Sequence, residues 1–284
     1  MFKKKNIFIS TGGFKSPAYK TIDLFFKSGI KNIELSGGQY DKKNFKEIIK
    51  FNKYLNLRIH NYFPPPKFSF VLNAASANDL ILNKSIKHIM NSIDLASKIN
   101  SKYYSFHAGF LLDPKVDRLG KEFNISKLQN REKCLSNFKK NVTKISNYAR
   151  SKNIIILIEN NVVTKKNFKI FGQNPFLLSH PKEILSFFSN APKNVKFLMD
   201  VGHLNVSSMT EGFSKIEALK KLNKYTKCYH LSENDSYNDN NKPFSKKSWF
   251  IKYLKKNLDY YTIEVYSDST SVLKNQIKIL NSVL

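Results

Sequence analysis

Short apolar runs rich in β-branched residues alternate along the chain with longer segments in which apolar residues recur at helical spacing. The apolar runs predict eight strands, at Asn6–Ser10, Asn32–Ser36, Leu57–Tyr62, Tyr103–Ala108, Ile154–Glu159, Val195–Val201, Thr226–Ser232 and Tyr260–Tyr266. The segments between them predict helices at about Pro17–Ser28, Lys42–Tyr54, Lys84–Ile99, Lys127–Ser151, from near Pro181, at Glu211–Leu222, near Ser245–Lys256 and at the end of the chain.

This order predicts the fold class. Strands that alternate with helices pair in parallel through crossover connections. Eight such units in 284 residues are typical of an α/β protein with a (β/α)8 TIM barrel. We expect a single domain over residues 1–284. Glycine pairs follow the first two strands, but neither matches a dinucleotide fingerprint or a phosphate-binding P-loop.

Titratable residues gather where four successive predicted strands end. Glu159, Asp200, His230 and Glu264 stand at the ends of strands five to eight. Active sites of TIM barrels lie at these carboxyl ends. Each residue alone is also explained by a salt bridge at a strand end. Three carboxylates that converge with a histidine would repel one another, and a cation removes that repulsion. We therefore predict that the four residues bind one divalent metal ion.

The residue types limit the identity of the metal. Three carboxylates and one imidazole form an oxygen-rich set that suits Mn²⁺ best, with Mg²⁺, Co²⁺ and Zn²⁺ as alternatives. The two cysteines, Cys134 and Cys228, lie far apart in the sequence and form no CxxC motif. This excludes a cysteine-rich structural zinc site and favours a protein of the reducing cytoplasm.

Four motifs in this order resemble the xylose-isomerase-like TIM-barrel superfamily. They are Ile158-Glu159-Asn160-Asn161, Asp200-Val201-Gly202-His203, the run from His230 to Asp235, and Thr262-Ile263-Glu264-Val265. The superfamily includes sugar isomerases, ketose 3-epimerases, inosose dehydratases and barrel-type apurinic endonucleases. The resemblance covers nearly the whole chain.

The isomerase and epimerase branch implies a role for each matching residue. There, the residues that match Glu159, Asp200, His230 and Glu264 hold one metal, and the two glutamates transfer protons. The residue that matches His203 touches the substrate. The resemblance thus implies a metal-dependent isomerase or epimerase of a sugar or sugar derivative, acting by proton abstraction next to a carbonyl through an enediolate.

Two further histidines and the segment after strand seven bear on the choice between the epimerase and endonuclease branches. His60 and His107 end strands three and four, where we interpret them as substrate contacts or as structural histidines of the barrel interior. The endonuclease branch binds three zinc ions, partly through histidines there and through an Asp-x-His after strand seven. This chain has Asp239-Asn240-Asn241 instead, and asparagine is a poor zinc ligand. We interpret Glu34 as a supporting carboxylate.

The net charge of the chain does not decide what kind of ligand or partner it binds. The net charge is +27, and nearly all of the cations are lysines spread along the chain. A dispersed, solvated surface explains this pattern, as does a preference for a phosphorylated or nucleotide-linked sugar; binding of nucleic acid is disfavoured. The basic start, Met1–Lys5, precedes an apolar run too short for a signal peptide, and no run approaches the roughly 20 apolar residues of a membrane span.

Three alternatives to an epimerase remain at this point. A dehydratase or lyase acting on a polyol or keto-sugar would use the same metal and the same proton abstraction. An abasic-site endonuclease or other phosphodiesterase is favoured by the charge and disfavoured by Asn241. A non-catalytic barrel subunit is disfavoured by the complete ligand set. The sequence does not decide whether the chain forms a homo-oligomer.

Overall fold

A computed structural model describes residues 6–118, 121 and 127–284. Its parallel strands form one closed barrel, in which β1 pairs with β2 and also with β8. This confirms the predicted single-domain TIM barrel. The strands are β1 (Ile7–Ser10), β2 (Asn32–Leu35), β3 (Asn56–His60), β4 (Tyr103–His107), β5 (Ile155–Glu159), β6 (Val195–Asp200), β7 (Thr226–Leu231) and β8 (Tyr260–Ile263).

Helices surround the barrel and pack their apolar faces against the outside of the strands. Within the described ranges they are α1 (Ala18–Lys27), α2 (Asn44–Phe51), α3 (Asp79–Lys98), α4 (Arg131–Ser151), α5 (Lys165–Phe171), α6 (Pro181–Phe188), α7 (Val201–Glu211), α8 (Lys215–Leu222) and α9 (Thr270–Val283). None of these helices has the length and apolar content that a membrane span requires. The basic start, Met1–Lys5, lies outside the described residues.

Helix α7 departs from the predicted pattern. The sequence predicted one helix at Glu211–Leu222, but α7 already begins at Val201, directly after β6. It ends where Gly212 adopts a left-handed conformation with φ of 73°. Ser214 then begins α8, since its Oγ accepts a hydrogen bond from the Glu217 amide at 3.4 Å. Only the second part of the predicted helix is therefore confirmed.

The prediction of a helix near Ser245–Lys256 is wrong. This segment contains only a single 3₁₀ turn at Ile251–Tyr253. At its start, the Ser245 amide donates to Ser248 Oγ at 3.0 Å, a local bond that competes with helical bonding. At its end, the Lys255 amide donates to the hydroxyl of Tyr229 at 3.0 Å. The backbone groups thus bond to side chains instead of to a helix.

The barrel interior has an apolar layer beneath its polar end. Phe8, Tyr103, Leu157, Leu198, Cys228 and Tyr260 form one buried cluster there. Side chains on a strand alternate between the two faces, so the residue two positions later points into the same interior. Counting two positions on from Leu157, Leu198 and Cys228 gives Glu159, Asp200 and His230. The strand period therefore directs these polar side chains into the barrel.

Candidate metal centre

The four predicted metal ligands lie together at the carboxyl end of the barrel. Glu159, Asp200, His230 and Glu264 each offer one ligand atom, and these atoms all lie within 4.8 Å of one another. The four side chains are buried. Strand pairing sets part of this arrangement, since Asp200 is the direct register partner of His230.

His230 occupies the centre of the cluster. Its Nδ1 lies 2.8 Å from Glu264 Oε2, 3.2 Å from Glu159 Oε1 and 4.0 Å from Asp200 Oδ2. One ring nitrogen thus faces three carboxylates. A divalent cation between these atoms would have one nitrogen and three oxygen ligands.

Several of these atoms have no hydrogen bond among the described residues. They are both carboxylate oxygens of Glu159, Oδ2 of Asp200 and both ring nitrogens of His230. Buried polar atoms are nearly always paired in folded proteins, so a group of unpaired ones indicates a missing partner. The donor set is mostly carboxylate oxygen, which hard divalent ions prefer. The residues therefore fit a metal ion of the predicted kind.

The shifted pKa values of Asp200 and His230 also fit a bound metal ion. Burial raises the pKa of Asp200 to about 8; His203 opposes this, and Glu159 raises the pKa further. Burial would lower the pKa of His230, but the carboxylates of Glu34 and Glu159 hold it well above its ordinary value. Without a cation the cluster thus retains protons at neutral pH, and a metal ion would take their place.

Asp200 has two separate roles. Its Oδ1 accepts a hydrogen bond from the His203 amide at 2.6 Å and so caps the first turn of α7, while Oδ2 faces His230. The side chain of Asn160 bonds to the Asp200 backbone on both sides, at 2.9 and 3.1 Å. A Cβ on Gly202 would lie 2.9 Å from Ser232 Oγ, so a larger residue here would force this hydroxyl to move.

His203 lies in the first turn of α7 and not in a loop. Its Nδ1 is 2.8 Å from the carbonyl oxygen of Asn160, and its Nε2 is 3.1 Å from Asp239 Oδ2. Nδ1 also lies 3.6 Å from Glu159 Oε1. Sequence reasoning considered Asp239 only as part of a motif that argued against a zinc site, and the structure places it at the candidate site.

His60 and His107 form a second group with Glu159. His60 Nε2 and His107 Nδ1 lie 3.4 and 3.6 Å from Glu159 Oε2, the oxygen on the side away from Nδ1 of His230. His60 Nδ1 is also 2.9 Å from Ser105 Oγ. Burial lowers the pKa of His107 to about 4 although the Glu159 carboxylate opposes this, so its ring is neutral at physiological pH.

Glu34 approaches His230 from the other side. Its Oε1 lies 2.8 Å from His230 Nε2, and its Oε2 accepts a hydrogen bond from Thr262 Oγ1 at 3.0 Å. A carboxylate behind a ligating histidine fixes the ring orientation and its tautomer. The geometry matches the supporting role that the sequence suggested for Glu34.

A cavity of about 890 Å³ opens above the cluster. It is at the upper end of the roughly 300–1,000 Å³ that small-molecule sites occupy. Its lining includes His107, His203 and Asp239 near the cluster, aromatic rings in its walls, and three basic side chains. The aromatic residues are Tyr62, Phe70, Phe110, Phe176 and Tyr266, and the basic ones are Arg118, Lys121 and Lys166.

The family model of the xylose isomerase-like TIM barrel matches residues 17–266. The chain belongs to this family. None of the curated proteins matches it in sequence.

Solved structures share this xylose isomerase-like fold over nearly the whole chain. A D-tagatose 3-epimerase-like protein is 18% identical, covers 98% of both chains and has a TM-score of 0.71. D-psicose 3-epimerase with D-tagatose from Clostridium cellulolyticum H10 is 13% identical, covers 98% of this chain and 99% of its own, and has a TM-score of 0.67. The 3-keto-D-glucoside 4-epimerase of E. coli is 12% identical, covers 98% and 100%, and has a TM-score of 0.69.

Asn241, where the endonuclease branch of the family has its histidine, is used by the backbone. Its Nδ2 donates to the carbonyl oxygen of Glu264 at 3.1 Å, and its own carbonyl oxygen accepts from the Tyr266 amide at 3.0 Å. The residue has a left-handed conformation with φ of 43°, which asparagine tolerates well. Asn241 thus stabilises the chain after β8 beside the candidate ligand Glu264.

Proposed function

We propose that the protein is a divalent-metal-dependent isomerase or epimerase of a sugar or sugar derivative. The ligands are Glu159, Asp200, His230 and Glu264, and Mn²⁺ is the metal that this set suits best. The observation that carries the proposal is the position of His230 Nδ1, which faces three carboxylates at 2.8, 3.2 and 4.0 Å.

The chemistry requires removal of a proton from a carbon next to a carbonyl. When bound, the metal ion polarises that carbonyl and stabilises the negative charge that develops. Glu159 and Glu264 both reach His230 and act as base and acid. Although burial opposes it, the histidines His107 and His230 hold the pKa of Glu159 well below its ordinary value, so it is a carboxylate at neutral pH and is ready to accept a proton.

Other residues of the cavity would hold the substrate. His203 Nε2 and Asp239 Oδ2 lie side by side at 3.1 Å on the cavity wall, where sugar hydroxyls would find a donor and an acceptor. The aromatic walls offer surfaces for the apolar face of a sugar ring. The structural relatives described as sugar epimerases support a substrate of this class.

Solvent deuterium tests the proposed reaction. Metal-loaded protein is incubated in D₂O with a panel of ketoses, and the recovered sugars are analysed by mass spectrometry and NMR. Epimerisation or isomerisation introduces deuterium into an intact sugar, whereas the dehydratase alternative yields a product lighter by one water. Glu47→Gln on the surface of α2 is the matched control, and Glu159→Gln and Glu264→Gln are expected to abolish the exchange. Exchange that persists in both of these variants would refute the roles of the glutamates.

A phosphodiesterase is the second candidate, and one observation favours it. His60, His107 and Glu159 also offer ligand atoms within 4.8 Å of one another, so a second metal ion has a candidate site. Two metal ions close together suit displacement at phosphorus. Cleavage of abasic duplex DNA by the zinc-loaded protein, together with two metal ions per chain, would replace the first proposal with this one.

A further inference from the structure

The chain carries nearly all of its positive charge on lysine and has only four arginines, Arg58, Arg118, Arg131 and Arg150. The guanidinium of Arg58 lies over three aromatic rings of the barrel interior, at 4.3, 4.7 and 4.8 Å from their centres. Arg131 makes a two-pronged contact with Glu183 at 2.9 and 2.8 Å. In both places the fold uses the planar, always charged guanidinium, for which lysine is no substitute.

Among the described residues, Arg118 makes no comparable contact. The ion pair that the described residues give it is with its sequence neighbour Asp117, at 3.9 Å, and the two side chains are 41% and 71% exposed. Such a pair contributes little to stability. Arg118 instead lines the cavity above the metal centre, together with Lys121.

The cavity is divided by charge and by depth. Its deep end is formed by His203, which is 5% exposed, and by His107, and both side chains contact Glu159. The acidic side chain in its lining, Asp239, belongs to this end, because it is paired with His203. Lys121 is exposed and the Arg118 side chain is 41% exposed, so both lie nearer to solvent than His203 does. The lining also includes aromatic rings.

We propose that the substrate carries an anionic group, a phosphate or a carboxylate, at the end remote from its reacting carbon, and that Arg118 and Lys121 bind this group. The inference rests on the proposed function, which places the reacting carbon beside the metal centre. An arginine binds such oxygens through two parallel hydrogen bonds, and a lysine adds a point charge. The cavity has room for the longer molecule, and the aromatic rings in its lining offer surfaces for the apolar face of a sugar.

The experiment compares three ketoses with the metal-loaded protein: neutral D-fructose, D-fructose 6-phosphate, and D-fructuronate, which has a carboxylate. Isothermal titration calorimetry gives the Kd of each for the wild type, Arg118→Gln, Lys121→Gln and the double variant. Arg150→Gln is the control, because Arg150 lies on the surface of α4 and contacts Asn147. An abasic DNA duplex is titrated in parallel.

We expect at least one anionic ketose to bind about tenfold or more tightly than fructose at low ionic strength, as charge-assisted hydrogen bonds would give. Arg118→Gln should remove most of this advantage and leave the Kd of fructose unchanged, whereas Arg150→Gln changes neither. Which of the two anionic ketoses gains identifies the group as phosphate or carboxylate. Added salt should weaken the anionic ligand selectively.

Equal binding of the three ketoses would overturn the inference, as would equal losses in Arg118→Gln and Arg150→Gln. It would also be overturned if Arg118→Gln and Lys121→Gln weakened only the DNA duplex, which would assign the two cations to nucleic acid. Failure of the proposed function looks different, because it appears as absent metal and absent deuterium exchange with every ketose. If deuterium exchanged into fructose but the anionic ketoses bound no more tightly than fructose, only the role of Arg118 and Lys121 would be overturned.

Discussion

Glu34 Oε1 lies 2.8 Å from His230 Nε2, on the opposite side of the ring from the three carboxylates. This pairing leaves Nδ1 as the nitrogen that faces the candidate metal position. A proton on Nε2, where the Glu34 carboxylate favours it, would leave Nδ1 with a lone pair for the metal. We therefore expect Glu34 to support the proposed metal site although it is not in the proposed ligand set.

Replacing Glu34 tests this relationship. Glu34→Gln keeps the size of the side chain and the bond from Thr262, but it removes the charge that orients His230. We expect metal affinity to fall by about 10–100-fold, the usual effect of changing a residue that supports a ligand. Titration with Mn²⁺, monitored by calorimetry, measures it, and Glu47→Gln serves as the surface control. An unchanged affinity would show that His230 is oriented without Glu34.

Metal content tests the ligand set. Wild-type protein, purified without added metal and analysed by mass spectrometry, is expected to contain about one divalent ion per chain, as in a mononuclear catalytic site. Glu159→Gln and Glu264→Gln should lose most of it, because a neutral amide is a weaker ligand than a carboxylate. Equal metal content in the three proteins would contradict the proposed site.

His203 separates substrate binding from metal binding. If it contacts the substrate and no metal, His203→Gln should leave metal content unchanged and lower kcat/KM by about 10–100-fold, since one polar contact to a reacting substrate is lost. Asp239→Asn should have a smaller effect of the same kind, because the amide still accepts a hydrogen bond from His203. Loss of metal in both variants would instead show that this pair supports the metal position and does not act only on the substrate.

Gly202 offers a purely steric test of the cluster. A Cβ there would lie 2.9 Å from Ser232 Oγ and 3.2 Å from both Asn234 Nδ2 and Asp200 Oδ1. We expect Gly202→Ala to displace Asp200, to weaken metal binding and to destabilise the fold by about 1–3 kcal/mol through overpacking. Gly37→Ala is the matched control, since its nearest neighbours are 3.8 Å away. Thermal unfolding with and without Mn²⁺ measures both effects.

His88 should make the stability depend on pH. Burial lowers its pKa to about 4, and its Nε2 has no hydrogen bond among the described residues. As the pH falls below about 6.5, His88 binds a proton in the unfolded chain but stays neutral in the folded chain. Its contribution to the free energy of unfolding is therefore fully present above this pH and is lost as the pH falls towards 4. The slope is at most about 1.4 kcal/mol per pH unit, which makes about 3 kcal/mol in total.

The comparison with His88→Leu isolates this effect from other titrating groups. Urea unfolding between pH 4 and pH 8 should show a shallower loss of stability in His88→Leu, whereas the exposed neighbour variant Lys87→Gln follows the wild type. His88 stacks on Tyr62, which lines the cavity, with ring centres 5.2 Å apart. Parallel curves for wild type and His88→Leu would mean that the buried ring accepts its proton without cost.

The strand ends were predictable from the sequence because a period of two and a parallel topology are local signals. Glu159 follows an unbroken apolar run, and Asp200 and Glu264 end the strands that follow, so a barrel brings their side chains to one end. The contact between Glu34 and His230 was not predictable, because it joins strands two and seven across the barrel. The distance between these two side chains depends on closure of the barrel, and no local sequence pattern predicts it.

The same limit explains the errors in the helices. The start of α7 at Val201 is set by Asp200, whose position at a strand end indicates a metal ligand but not a helix cap. The absent helix near Ser245–Lys256 depends on the hydroxyl of Tyr229, which lies in β7 and binds the backbone of Lys255. Asp239 lies at the candidate site because its carboxylate contacts His203. Neither the Asp239-Asn240-Asn241 motif nor the sequence spacing predicts that contact.

The divided carboxylate of Asp200 links folding to ligand binding. One oxygen begins helix α7 through the His203 amide, and the other faces the proposed metal position. The helix start and the proposed metal position therefore share one side chain, so a metal ion bound there would stabilise the helix start, and the formed helix would favour metal binding by the same free energy. An ion bound at the proposed position would therefore also hold the first turn of α7, which carries His203 to the cavity wall, and would link the metal position to the proposed substrate contacts.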